Sequence, residues 1–104
     1  MTSPARPDRP LSLIQLNYVA PLAEIDARMK DHVTWLEAGI REGAILVAGR
    51  RNPRTGGVIL LRGDRVTAEA VAATDPFVTS GVAQADIVEF SASFARRDFA
   101  ELLS

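Results

Sequence analysis

The chain has 104 residues, a length that suits one domain built around one hydrophobic core, and its apolar runs are too short to cross a bilayer. Twelve basic and thirteen acidic residues leave a net charge of -1, which argues against nucleic acid as a partner, and the short apolar runs argue against a membrane. The N-terminal residues do not have the pattern of a signal peptide, so we expect a cytoplasmic protein. The absence of cysteine excludes disulfides and thiolate chemistry, and a single histidine excludes a multi-histidine metal site within one subunit.

The first ten residues differ in composition from the rest of the chain. Residues 1–10 hold three of the six prolines and few apolar side chains, so their contacts do not repay the entropy lost on ordering. We therefore expect a disordered N-terminal tail over residues 1–10 and a single folded domain over residues 11–104.

Residues 13–19 show the alternation of a strand. Ile14, Leu16 and Tyr18 share one face, and Gln15 and Asn17 share the other. Two-residue periodicity of this kind predicts a strand with one face against the core.

A long helix is predicted from residue 22 to about residue 42. Its apolar positions are spaced by three, four and seven residues and form one stripe: Leu22, Ile25, Met29, Leu36 and Ile40. His32 fills the gap in that stripe. Gly43 tolerates positive φ and is predicted to end the helix, and Gly39 weakens the last turn.

The second half of the chain predicts a hairpin, a short helix and a last strand. The runs "AILVAG" (44–49) and "VILLRG" (58–63) are apolar strands joined by the polar loop "RRNPRTGG". An alanine-rich helix follows over residues 65–74, and a strand over residues 85–94 precedes "ARRDFAELLS", which can add a helical turn or two.

The order of elements is strand, helix, strand, strand, helix, strand. This order predicts an α+β, ferredoxin-like βαββαβ fold, in which both helices cover one face of a four-stranded antiparallel sheet. The two hairpin strands are apolar at successive positions, so both of their faces need cover. We expect a second copy of the chain to pack on the other face, giving a homodimer of the dimeric α+β barrel type.

An ordered set of motifs resembles the YCII-related family of small bacterial proteins. The features are His32 in the first helix, Gly43 eleven residues later, "GAILVAG" ending at Gly49, and "DPFVTSGV" from Asp75 onward. The resemblance covers residues 13–94. It implies a dimeric α+β barrel with a pocket in each subunit and an active pair that maps to His32 and Asp75. The chain departs from the family after Gly49, where members often have proline and this sequence has Arg50.

Each candidate of the active pair also has a purely structural interpretation. A histidine on an apolar stripe is commonly a hydrogen-bonded core residue, whereas an imidazole also suits proton transfer near neutral pH. Aspartate is a favoured helix N-cap and proline suits the first helical position, so Asp75 and Pro76 are explained by a short helix. One carboxylate can do both, capping the helix and orienting His32.

Four further residues are candidates for substrate binding. Gln15 and Asn17 lie on the polar face of the first strand, Tyr18 lies at its end, and Arg50 begins the arginine-rich loop. Arg50, Arg51 and Arg54 can clamp a carboxylate through paired N–H donors, or they are a solvated hairpin loop.

Two functional hypotheses follow. The first is a cofactor-independent enzyme in which His32, oriented by Asp75, moves a proton during elimination or isomerisation of a small lactone or aromatic-derived substrate, as relatives do according to the family resemblance. The alternative is a non-catalytic ligand-binding or accessory dimer. The same architecture also hosts monooxygenases, but the lack of a second histidine argues against haem. We expect no cofactor, and we expect a small molecule and a second copy of the chain as partners.

Overall fold

In a computed structural model, which describes residues 3–103, the chain forms one four-stranded antiparallel sheet with three helices on one face. The strands are β1 (Pro10–Tyr18), β2 (Ile45–Arg50), β3 (Gly56–Arg62) and β4 (Ala83–Ser91). The helices are α1 (Leu22–Glu42), α2 (Arg65–Ala72), α3 (Pro76–Thr79) and α4 (Arg97–Ala100), the last running into a 3-10 turn (Glu101–Leu103). The strand order is β2-β3-β1-β4, and the predicted ferredoxin-like α+β fold is confirmed.

The central strand β1 separates a core face from an opposite face. Ile14 and Leu16 are fully buried beneath the helices. Ile14 pairs with Ile59 of β3 on one side and with Ile87 of β4 on the other, so a row of isoleucines crosses the sheet. Burying each large aliphatic side chain contributes about 1.5–3 kcal/mol, and this row fixes which face of the sheet meets the helices.

Helix α1 lies against the sheet and carries His32 into the core. Ile25 and His32 are its buried residues. Gly43 ends it in the left-handed conformation at φ 86°, and its N–H donates to the carbonyl of Ile40, as the sequence predicts. Gly39 allows close approach, because a Cβ there would lie 2.4 Å from Cδ1 of Ile45. None of the helices within residues 3–103 combines the length and apolar character of a membrane span.

Aspartates begin the two short helices α2 and α3. The carboxylate of Asp64 accepts a hydrogen bond of 2.9 Å from the backbone N–H of Thr67, which lowers the pKa of Asp64 below its ordinary value. Asp75 occupies the equivalent position before α3 and accepts from the N–H of Phe77. The predicted N-cap role of Asp75 is therefore present in the structure.

The sheet face opposite α1 is called the open face below. A corner of this face is covered by α4 and the 3-10 turn, where Leu103 packs with Leu11 and Ala92. Elsewhere the open face presents apolar side chains to solvent: Val47 is 57% exposed, Val88 49% and Phe90 44%. The chain therefore has too little helix to cover both faces of its sheet.

The N-terminal segment is better ordered than its composition predicts. Ala5 forms an antiparallel bridge with Ala95, and the N–H of Asp8 donates to the carbonyl of Ala92 over 3.0 Å. Part of the predicted tail therefore pairs with the chain that follows β4. These are backbone contacts, to which side-chain composition gives no clue. Met1 and Thr2 of that tail lie outside the described residues.

Candidate active site

His32 and Asp75, separated by 43 positions in sequence, meet in the core. The Nδ1 atom of His32 lies 2.8 Å from Oδ1 of Asp75. His32 is 7% exposed and Asp75 is fully buried. Helix α1 supplies the imidazole and the turn before α3 supplies the carboxylate, so the contact depends on the packing of these two elements.

A single oxygen of Asp75 holds both partners. Oδ1 accepts the backbone N–H of Phe77 at 2.9 Å as well as the bond from His32, while the buried Oδ2 has no hydrogen-bond partner within the described residues. When the carboxyl group of Asp75 is ionised it can only accept, and the Nδ1 atom of His32 then carries the proton of this contact. The basic nitrogen of the neutral imidazole is then Nε2, for which residues 3–103 provide no hydrogen-bond partner.

Aromatic rings hold the plane of the imidazole. The ring of His32 stacks on Phe77 with centroids 3.9 Å apart and planes 7° apart, and on Trp35 with centroids 5.9 Å apart. The indole N–H of Trp35 donates to the hydroxyl of Thr74 over 2.9 Å, which ties α1 to the residue before Asp75. His32 is thus restrained both by its hydrogen bond and by its neighbours' rings.

A cavity of about 250 Å³ opens beside His32 between α1 and the sheet. Its wall is mostly apolar and consists of Leu16, Tyr18, Met29, His32, Val33, Leu36, Ala48, Gly49, Arg50, Gly57, Val58, Ile59 and Phe77. The ionisable side chains of this wall are His32, Tyr18 and Arg50. A cavity with an apolar wall and a few polar groups is typical of small-molecule sites.

Other concave regions lack this chemistry. A larger cleft of about 560 Å³ lies between Ser3, Pro4 and residues 94–98, away from His32 and Asp75. Within residues 3–103, no group of three or more histidine, aspartate or glutamate side chains is placed to hold a metal ion.

The comparisons with known proteins decide the family. The sequence model of the YCII-related domain matches residues 6–91. The chain belongs to the YCII-related family. No curated protein sequence matches it.

One solved structure similar to this YCII-related protein is a complex of 5-chloro-2-hydroxyhydroquinone dehydrochlorinase (TftG) from Burkholderia phenoliruptrix AC1100 with 2,5-dihydroxybenzoquinone. The TM-score is 0.63 and the sequence identity is 17%, with 75% of this chain and 90% of that chain covered. At this identity the likeness shows a shared fold.

The structure brings two of the four predicted substrate-binding residues to the cavity. Tyr18 and Arg50 lie in its wall. Gln15 and Asn17 do not, because side chains alternate along a strand and these two lie on the open face. Asn17 instead donates to Asp86 and accepts from Arg51, each over 2.9 Å.

The three loop arginines of this YCII-related protein have different surroundings. Arg51 binds Asn17 and Thr55. Arg54 pairs with Asp26 of α1, and this hydrogen bond raises the pKa of the guanidinium above its ordinary value. The side chain of Arg50 has no hydrogen-bond or ion-pair partner within residues 3–103. The structure therefore does not contain a carboxylate clamp formed jointly by all three arginines.

Sequence reasoning missed the residues that orient His32. Phe77 stands inside the "DPF" motif, which marks the position but not its stacking role. Trp35 lies three residues after His32 on the same helix, a spacing that places two side chains side by side. That spacing is the signal from which the contact between the two rings can be predicted.

Proposed function

We propose that this YCII-related protein is a cofactor-independent enzyme that transfers a proton in the elimination or isomerisation of a small ring-derived molecule. The observation that carries the proposal is the 2.8 Å bond between Nδ1 of His32 and Oδ1 of Asp75 beside a cavity of about 250 Å³. His32 is the proposed general acid and base, and Asp75 the residue that orients it.

The proposed chemistry uses the second ring nitrogen of His32. In an elimination, Nε2 takes a proton from a substrate carbon or hydroxyl, the released electron pair forms a double bond, and the leaving group departs with the pair of its own bond. In an isomerisation, the same nitrogen takes the proton from one carbon and returns it to another. The carboxylate of Asp75 stabilises the imidazolium that exists between the two steps.

The similar structure supports the reaction class. That protein is named as a dehydrochlorinase of a chlorinated hydroxyhydroquinone, and halide elimination from a ring belongs to the class proposed here. The proposed substrate is therefore a halogenated ring-derived compound or a lactone of one-ring size. Tyr18 and Arg50 are proposed to contact it, because both lie in the cavity wall with His32.

Two assays test the proposed enzyme. Purified protein is incubated with chlorinated hydroxyhydroquinones and chlorinated ring-derived acids while chloride release is measured, and with unsaturated lactones that carry a carboxylate while ring absorbance is followed. The proposal expects turnover by the wild type and a loss on the order of a hundredfold or more in His32→Asn. Asparagine keeps a nitrogen near the position of Nδ1 and removes Nε2, so the variant separates the contact with Asp75 from the chemistry.

The competing function is a non-catalytic ligand-binding protein. The mostly apolar wall of the cavity favours this alternative, because apolar contacts can bind a ligand without any titrating group. This alternative expects a compound to bind without turnover and with the same affinity in the wild type and in His32→Asn. Equal binding without turnover across both substrate classes would overturn the proposed enzyme.

We further propose that a second copy of this chain covers the open face. Val47, Val88 and Phe90 are each about half exposed there, and Leu13 and Leu60 lie on the same face between them. A contiguous apolar sheet face of this kind favours association, and two identical faces can pack through a two-fold axis. The cavity beside His32 lies on the opposite side of the sheet, so each copy would keep its own.

A further inference from the structure

We propose that Arg50 recognises an anionic group of the substrate, and that the substrate of this cavity is consequently a small carboxylate. The proposal rests on the proposed function, because it names the chemical class that the His32 cavity accepts. It assigns to Arg50 a role in specificity and gives it no part in proton transfer.

The guanidinium of Arg50 is free to bind a ligand. Its neighbours in the same loop are occupied, since Arg51 is bound to Asn17 at 2.9 Å and Arg54 to Asp26. The guanidinium of Arg50 has no such partner within residues 3–103, and Arg50 is one of the residues that line the cavity. A guanidinium presents a planar fork of donors that matches both oxygens of a carboxylate.

The wall of the cavity also favours an anion through its charge. None of the residues that line the cavity is acidic, so nothing within this wall neutralises Arg50. The carboxylate of Asp75 does not line the cavity, and its Oδ1 is already bonded to His32. An anion is therefore the ligand whose charge complements the site.

The strand pairing also leaves space beside the guanidinium of Arg50. Arg50 is the last residue of β2 and lies opposite Gly57 of β3, and Gly49 precedes it. Gly57 shares the face of Arg50 and carries no side chain, which leaves room for a ligand group next to the guanidinium. The carboxylate would lie toward the β2 end of the cavity, and the rest of the molecule would extend along the apolar wall toward His32.

A matched pair of probes tests the proposal. Benzoate and benzamide have nearly the same shape, and they differ in the charge that Arg50 would recognise. Trp35, the only tryptophan, stacks on His32, so its fluorescence reports ligand in the cavity, with saturation-transfer NMR of the probes as a second readout. Dissociation constants are measured for the wild type, Arg50→Gln and the control Arg51→Gln, whose arginine is engaged on the open face.

The wild type should bind benzoate more tightly than benzamide by on the order of tenfold, the size expected of a charged hydrogen-bonded pair. Arg50→Gln should bind both equally, and Arg51→Gln should retain the preference. Equal affinity in the wild type, a preference that survives in Arg50→Gln, or binding of neither probe would overturn the proposal. An Arg50-dependent preference for benzoate without turnover in the chloride and lactone assays would support the anion site and contradict the proposed enzyme. Turnover without that preference would support the enzyme and contradict the anion site.

Discussion

The imidazole of His32 and the ring of Phe77 lie almost parallel, 3.9 Å apart between centroids and 7° apart in plane. Phe77 also donates its backbone N–H to Oδ1 of Asp75, the same atom that binds His32. One residue thus contacts both members of the pair, the imidazole through its ring and the carboxylate through its backbone. The "DPF" motif thus places a carboxylate against a histidine of a helix that is distant in sequence.

Replacing Phe77 by leucine should weaken the orientation of His32 more than it weakens the fold. Leucine fills most of the buried volume, so we expect a loss of about 1–2 kcal/mol in the free energy of unfolding. We also expect a clear fall in turnover, because the imidazole loses its stacked neighbour. Urea denaturation and the chloride or lactone assay measure the two effects. Phe99→Leu, on α4 where it packs against the covered corner of the open face, is the control and should cost stability alone; an equal fall in turnover there would contradict the role of Phe77.

Much of the architecture can be predicted from the sequence, because it depends on local periodicity. The alternation of Ile14 and Leu16 with Gln15 and Asn17 predicts the two faces of β1, and Gly43 predicts the end of α1. Boundaries are less predictable. The last strand is Ala83–Ser91 where the pattern indicates residues 85–94, because strand ends depend on the pairing of backbone groups with β1.

The site could be predicted only in part, because its contacts join distant elements. The family motif brings His32 and Asp75 to notice, but the 2.8 Å contact depends on how α1 packs on the turn before α3. From the sequence alone, Arg50 and Arg51 cannot be told apart as neighbours in one polar loop. The register of β2 with β3 directs Arg50 to the cavity, whereas Arg51 binds Asn17 of the open face.

Gly56 should not tolerate a side chain. A Cβ at this position would lie 1.9 Å from the carbonyl oxygen of Leu16, so Gly56→Ala must push β3 away from β1. We expect a loss of about 1–3 kcal/mol or more in the free energy of unfolding. Gly49→Ala is the matched control, since a Cβ there meets nothing within 4 Å, and its change should stay within about 0.5 kcal/mol. Equal urea midpoints for the two variants would contradict the close approach of β1 and β3 at Gly56.

Asp64 should make the free energy of unfolding depend on pH in the acid range. Its pKa is lowered from the ordinary 3.8 by the N–H of Thr67, so its ionised form favours the folded state. That contribution is complete above the unfolded pKa and is lost as the pH falls through the folded pKa. Asp64→Asn keeps a cap that does not titrate. Urea midpoints from about pH 5 to about pH 2 should fall more steeply for the wild type than for the variant; parallel curves would contradict this linkage.

The proposed dimer can be tested by light scattering during size-exclusion chromatography. The wild type should elute with twice the 11.2 kDa mass of one chain. Val88→Glu places a charge on the open face and should yield single chains, because burying an unpaired carboxylate opposes association. Val66→Glu is the control, since Val66 lies on α2 and is 75% exposed, and it should leave the mass unchanged. A wild-type mass of one chain would refute the dimer.

The central claim is that His32 and Asp75 act as one unit, and a double-variant rate cycle tests it most directly. Turnover is compared among the wild type, His32→Asn, Asp75→Asn and the combination, with Asp64→Asn as a second aspartate cap that does not line the cavity. Each single change at the pair should slow turnover on the order of a hundredfold, the double variant should be no slower than His32→Asn, and Asp64→Asn should keep full turnover. Wild-type turnover in Asp75→Asn, or losses that multiply in the double variant, would contradict the account.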